Sequence, residues 1–174
     1  MSLFRSLLSS ALLVFVTTLH SAVAADEMAD IQRMQASGQT QQALQRVEGL
    51  LARKPKDAGL RFLSGVLLAE RQRTAEALEV FNRLSVDFPE LPEPYNNAAA
   101  LYAAMGDFDR AKTSLEQAVR ANPAFSTAHE NLGDVYAMLA SLSYARALRI
   151  EPGSTGLQAK LALVRQLAPS SLPR

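Results

Sequence analysis

Apolar residues return along this chain on two scales, every three to four residues within a segment and every 34 residues between segments. Ala43, Val47 and Leu50 fall at i, i+4 and i+7, as do Ala77, Phe81 and Leu84, and again Ala111, Leu115 and Ala118. That spacing puts three apolar side chains on one face of a helix. Each triplet is followed by a proline, Pro55, Pro89 or Pro123. Proline lacks a backbone N–H and its ring clashes with the preceding turn, so each helix must stop there and a turn must lead into the next unit. Columns aligned at one period of this length mark a repeat architecture.

The half of each unit before its triplet is helical too. Tyr95, Ala98, Ala99 and Tyr102 stand at i, i+3, i+4 and i+7. Gly106 then breaks the helix, and Asp107 is the expected N-cap of the next one. Gly38 takes the turn role in the first unit, with Thr40 as expected cap. Gln72-Arg73-Thr74 does the same in the second, with Thr74 as cap, and Thr127 to Glu130 reads as a capping box in the fourth. The pattern predicts two antiparallel helices per unit, joined by a turn of a few residues.

This unit resembles the tetratricopeptide repeat, which carries a small residue at position 8, Tyr at 11, Gly at 15, Ala at 20, an aromatic at 24, Ala at 27 and Pro at 32. Residues 92–125 match as Ala99, Tyr102, Gly106, Ala111, Leu115, Ala118 and Pro123. Residues 58–91 match as Gly65, Leu68, Ala77, Phe81, Leu84 and Pro89, without the turn glycine. Residues 26–57 keep Gly38, Ala43, Val47 and Pro55 on a degenerate first helix. The resemblance implies an all-α fold, a right-handed superhelix of antiparallel helix pairs with about 3.5 repeats and a C-terminal capping helix. The small residues Ala43, Ala77, Ala111, Gly65, Ala99 and Gly133 are expected where two helices meet.

The fourth unit, residues 126–152, departs from the pattern. Leu132-Gly133 and Tyr136 look like positions 7, 8 and 11, and Tyr144, Ala147 and Pro152 like positions 24, 27 and 32. Tyr136 to Pro152 spans 16 residues where Tyr102 to Pro123 spans 21, so five residues of the inter-helix turn are missing. One long helix from about Ala128 to Ile150, or a kink near Ala140 to Ser143, is expected. Residues 154–167 then place Leu157, Leu161, Val164 and Leu167 at helical spacing, a capping helix over the last open apolar face. Residues 168–174, rich in Pro and Ser, are expected to fray.

In the family, the first helices line a concave surface that receives an extended peptide or a partner helix. The resemblance places Phe62, Val66 and Glu70, then Asn96, Asn97, Ala100 and Ala104, then Glu130, Asn131 and Asp134 on that surface. Asn96 with Glu130, and Asn97 with Asn131, are 34 apart, so the polar row repeats. Asn both donates and accepts and so suits a peptide backbone; the competing reading is that these Asn residues tie adjacent repeats together. A version of the family that grips a C-terminal carboxylate needs basic residues at positions 2, 5 or 6, where this chain has Phe, Asn and Glu. The row leans acidic through Glu70, Glu130 and Asp134, which favours a neutral or basic partner segment.

Composition narrows the rest. The chain has 174 residues, 18 Lys and Arg against 17 Asp and Glu, and no Cys or Trp. This excludes a disulfide framework, a thiolate metal site and a Cys nucleophile, and gives no basic face for nucleic acid. Arg5, the apolar run Leu7 to Leu19 and Ala22-Val23-Ala24 form the pattern of a signal peptide over residues 1–24, with cleavage expected after Ala24. The competing reading, a retained anchor, needs about 20 apolar residues, and this run has 13. With no Cys after the run, lipid attachment of the bacterial lipoprotein kind is excluded. Cleavage would leave 17 basic and 17 acidic residues, net zero, no stable membrane span, and His129 as the remaining histidine. An exported Cys-free chain fits a bacterial periplasm.

His129 follows the expected cap and has no orienting partner, so no catalytic residue is assigned; no metal or cofactor site is read from the chain. Tyr95, Tyr102, Tyr136 and Tyr144 occupy repeat positions and read as packing residues. The sequence thus describes a non-enzymatic protein-interaction scaffold of the cell envelope. The alternatives are a regulatory subunit docked on an envelope enzyme and a self-assembling structural protein, so a homo-oligomer stays open.

Overall fold

A computed structural model describes residues 27–167. The expected signal peptide and the C-terminal tail lie outside this span. Among the described residues the chain forms helices only: α1 (27–36), α2 (Thr40–Leu51), α3 (Ala58–Glu70), α4 (Thr74–Asp87), α5 (Pro92–Ala104), α6 (Phe108–Ala121), α7 (Ser126–Ile150) and α8 (Thr155–Leu167). From α2 onward, every pair of these helices that packs together is adjacent in sequence or one element apart, with α3 touching α5 and α5 touching α7. That is the contact pattern of a solenoid, in which each unit is stabilised by its neighbours.

The 34-residue period governs the backbone as well as the core. Gly38, Gln72 and Gly106, spaced 34 apart, all adopt positive φ, at 73°, 60° and 77°. Each closes the same turn. Gln39 N–H donates to Met34 O, Arg73 N–H to Leu68 O and Asp107 N–H to Tyr102 O, at 2.8–2.9 Å, and the residue before donates three residues back. This double bond pattern satisfies the carbonyls at the end of a helix and requires one left-handed residue. Gln72 fills that role at a steric cost of about 1–2 kcal/mol that glycine avoids. Gln72→Gly is therefore expected to raise stability by about 0.5–1 kcal/mol, glycine's greater freedom in the unfolded chain offsetting part of the gain; equilibrium urea unfolding measures it.

The inter-unit turns repeat too. Asp57 N–H donates to Lys54 O, Leu91 N–H to Phe88 O, Phe125 N–H to Asn122 O and Ser154 N–H to Glu151 O. Pro55, Pro89, Pro123 and Pro152 each stand second in these turns, where a fixed φ near −65° is what the turn needs.

The caps lie one residue earlier than expected in the first two units. Gln39 and Arg73 are the N-caps, without a side-chain cap bond, while Thr40 and Thr74 are the first helical residues. The capping box at Thr127 does not form either: α7 starts at Ser126 behind Phe125, again with no side-chain cap. Asp107 does cap α6, accepting from Arg110 N–H at 3.1 Å. That backbone donor first, and the Arg110 guanidinium second, hold the Asp107 carboxyl below its ordinary range. Asp57, which the periodicity did not single out, caps α3 through Leu60 N–H at 3.0 Å.

The core is one column running through the stack. Ala43, Val47, Leu50, Ala77, Phe81, Leu84, Ala111, Leu115 and Ala118 are all at most 3% exposed. Gly65 shows why its column is small: a methyl there would stand 2.6 Å from Cε1 of Phe81. Gly133 contradicts the expectation of a tight contact, since nothing lies within 4 Å of where its methyl would stand. The reason is α7, 25 residues without a break, so no second helix folds back over Gly133. Of the two forms expected for the fourth unit, the structure has the continuous helix. α8 packs against α7 with Leu161 buried, whereas Leu167, expected to cover the end of the stack, is 68% exposed.

Candidate functional site

α3, α5 and α7 are the first helices of successive units, and their contacts run α3 to α5 to α7. The residues assigned to the binding surface are dealt out along these three helices. Phe62 is half-buried and packs its ring against Phe81, centroids 5.6 Å apart and tilted 54°. Its free edge lines an open apolar cleft of about 300 Å³ with Ala58, Leu84, Leu91 and Pro94. Val66 is half-buried against the core, and Ala100 and Ala104 are exposed.

Four members of the polar row, Glu70, Asn96, Asn97 and Asn131, are already engaged within the chain. Gln35 Nε2 donates to Glu70 Oε1 at 2.7 Å, joining the first two units. Asn131 Nδ2 donates to Asn96 Oδ1 at 2.8 Å, joining the third to the fourth. Asn97 Nδ2 donates to the Glu93 carbonyl of its own helix at 2.9 Å. Asn96 and Asn131 therefore act as a tie between repeats, the competing reading of the row. Both ties span 35 residues, so each first-helix residue faces a residue one position further along the next unit. The expected partners at spacing 34 are offset from this contact.

Glu130 is exposed and Asp134 half-buried on α7. Burial, and secondarily the charge of Glu130, push the Asp134 carboxyl above its ordinary range. A raised folded-state pKa means that the folded chain holds the proton more tightly than the unfolded one. Stability then falls as pH rises through the folded pKa, and the ionised group is a burden at neutral pH. Asp134→Asn is expected to melt above the parent at pH 7 and to lose that advantage at pH 3, below the ordinary carboxylate range. Thermal melts at the two pH values read this out.

Elsewhere the tyrosines hold the stack together. The Tyr95 hydroxyl donates to Ser85 O at 3.0 Å, and the Tyr102 hydroxyl accepts from Asn82 Nδ2 at 3.2 Å beneath the Arg110 guanidinium, 4.7 Å from the ring centroid. Two ion pairs the sequence reading missed occupy equivalent places with reversed sign: Arg53 with Glu27 at 3.1 Å, and Arg61 with Asp87 at 2.6 Å. His129 Nε2 lies 3.0 Å from the Pro123 carbonyl, on the exposed start of α7. Among the described residues no group of His, Asp and Glu is placed to hold a metal ion, and no helix is long and apolar enough to cross a membrane.

Paired helices on a 34-residue period, packed only against near neighbours through a small-residue column, define a helical-repeat solenoid. The chain belongs to the tetratricopeptide repeat family, whose profile matches residues 33–92 and 96–153. It is 31% identical over 104 residues to the TPR repeat-containing thioredoxin TTL4 of Arabidopsis thaliana, a stretch covering 60% of this chain and 15% of that protein. It is 27% identical over 124 residues to cell division cycle protein 27 homolog A of the same plant, covering 68% of this chain and 17% of that protein. The chain thus spans about one sixth of the length of these relatives. Among solved structures it is similar to TTC0263, a thermophilic TPR protein of Thermus thermophilus, with a TM-score of 0.61, 22% identity, and 81% of this chain and 80% of that one covered. It is also similar to MamA, with a TM-score of 0.59, 17% identity, and 81% and 80% covered. At these identities the likeness is one of fold.

Proposed function

We propose that this chain is a non-catalytic protein-interaction scaffold that receives a peptide or a partner helix along the wall formed by α3, α5 and α7. The observation that carries the reading is the continuity of that wall. First helix touches first helix from unit to unit, while the second-helix triplets are spent on the core. Rigid helices with little side-chain entropy left to lose are suited to binding a flexible segment.

Glu130, Asp134 and Glu70 give the wall a negative rim, so the segment it takes is neutral or basic. Glu130→Lys with Asp134→Lys is expected to weaken the partner by at least tenfold, about 1.4 kcal/mol. Titration of the parent and the double variant against a partner recovered by crosslinking measures this. Unchanged affinity removes the acidic rim from the account.

The chain works after export, in a bacterial periplasm, where it joins parts of an envelope assembly. Arg5, the apolar run 7–19 and Ala22-Val23-Ala24 support this. N-terminal sequencing of the protein recovered from its cell is expected to begin at Ala25; a sequence still beginning at Met1 contradicts it.

A further inference from the structure

The cleft beside Phe62 opens between the first helices of the second and third units. Its floor belongs to the core, since Leu84 and Pro94 are fully buried. Its sides, Ala58, Phe62 and Leu91, are half-buried. Gly59 lines it too, one turn before Phe62 on α3, and leaves open the space that a side chain there would fill. The cleft holds about 300 Å³, the lower end of the range for sites that hold a ligand, and has room for one large side chain. A polar group placed among these carbons would lose its water without gaining a hydrogen-bond partner, so the side chain that enters is apolar.

Among the residues that line the cleft, Glu93 alone is charged. It stands exposed on α5, the counterpart of Gly59 one period on. Glu130 and Asp134 follow on α7. None of the ion pairs among the described residues engages these three carboxylates. Across α3, α5 and residues 126–138 the one Lys or Arg is Arg61, which is tied to Asp87. The wall therefore passes from an apolar socket at α3 to uncompensated carboxylates on α5 and α7. Lys54 and Lys56, in the turn leading into α3, set the opposite sign behind the socket. A partner's cations are thus drawn to one side of its apolar anchor only.

We infer that the partner is an extended segment that seats one apolar side chain in this cleft and sets a Lys or Arg against Glu93 and a second against Glu130 and Asp134. Helix spacing fixes the register. Packed helices lie about 8–10 Å apart, so α5 is half that distance from the middle of the cleft and α7 about 12–15 Å from it. An extended chain advances about 3.3 Å per residue and turns alternate side chains to the same face. The residue two places from the anchor then meets Glu93, and the residue four places from it meets Glu130 and Asp134. The inference rests on the reading of the first-helix wall as the receiving surface, and adds to it the anchor, the order of the charges and their spacing.

The test titrates the purified chain with fluorescein-labelled peptides of Ser that carry one Leu and, two and four residues along, a Lys, made in both chain directions. One direction is expected to bind. It is expected to lose at least tenfold in affinity when its Leu becomes Ser, or when both Lys move one place along and so turn off the wall. Gly59→Met fills the cleft and is expected to cost the same, whereas Gly59→Ala leaves it open and is expected to bind as the parent does. The first carbon added at Gly59 meets nothing nearer than Asp57 Oδ1, at an ordinary 3.4 Å, and an unchanged melting temperature checks that the fold is kept. Glu93→Lys is expected to weaken binding at least tenfold. A photo-reactive residue at Asn97 or Val86 reports where the peptide lies. Equal affinity for the parent and Gly59→Met, with adducts still forming at Asn97, would overturn the cleft inference and leave the wall reading standing. Adducts from Val86 alone would overturn the wall reading and the inference with it. Failure of both peptides to bind would overturn the inference.

Discussion

Phe81→Ala is expected to cost about 3–5 kcal/mol, the range for removing a buried aromatic. Phe81 is 1% exposed, fills the space left by Gly65 and packs on Phe62. Its loss opens a cavity bordered by two helix backbones held apart by their own packing, so the site cannot collapse to fill it. In a solenoid the damage spreads by contact: α3 and α4 loosen, and α2 and α5 lose the surfaces they rest on. Urea unfolding followed by circular dichroism measures the cost. A loss under about 1 kcal/mol would mean that the ring is not the key of the α3–α4 contact.

Gly65→Ala is expected to destabilise by about 1–3 kcal/mol, although alanine is the better helix former. The added methyl would meet Phe81 Cε1 at 2.6 Å and Cζ at 2.9 Å. The ring has little room to swing away, since it is 1% exposed and already packs against Phe62. Gly133→Ala, at the corresponding position of the fourth unit, is expected to gain about 0.5–1 kcal/mol, because nothing lies within 4 Å of the added methyl and the propensity term acts there unopposed. The opposite signs of one substitution at equivalent positions measure what the missing turn does to the fourth unit. Equal signs would contradict the helix-on-helix account of the small column.

The periodicity made most of this fold legible. Pro55, Pro89 and Pro123 mark the turns because a residue with fixed φ and no N–H has few other uses at the end of a helix. The long α7 was readable from a subtraction, five residues absent between Tyr136 and Pro152. What escaped was finer than the period. Thr40 and Thr74 attracted the cap assignment by residue type, yet Asp107 less 34 is Arg73 and less 34 again is Gln39, the N-caps found. The repeat carried the answer and chemistry alone pointed one residue too far. Gln72 hid a left-handed turn because glycine is its usual sign.

The candidate wall was legible as a set of helices and only partly as a set of contacts. Sequence spacing aligned Asn97 with Asn131, whereas neighbouring first helices meet 35 residues apart and pair Asn96 with Asn131. A repeat period counts equivalent positions; the contact between neighbours depends on how the helices are offset, which no single unit records. The Gln35–Glu70 and Asn96–Asn131 bonds also show that a polar residue on such a wall can serve the stack first.

The decisive measurement maps where a partner lies. A photo-reactive residue is placed at Val66, Asn97 or Ala104 on the first-helix wall, and at Val86 or Glu116 on the second helices, and each variant is irradiated in the cell of origin. The account predicts one shared adduct from the wall positions and none from the second-helix positions. Adducts confined to Val86 and Glu116, with the wall positions silent, would contradict it.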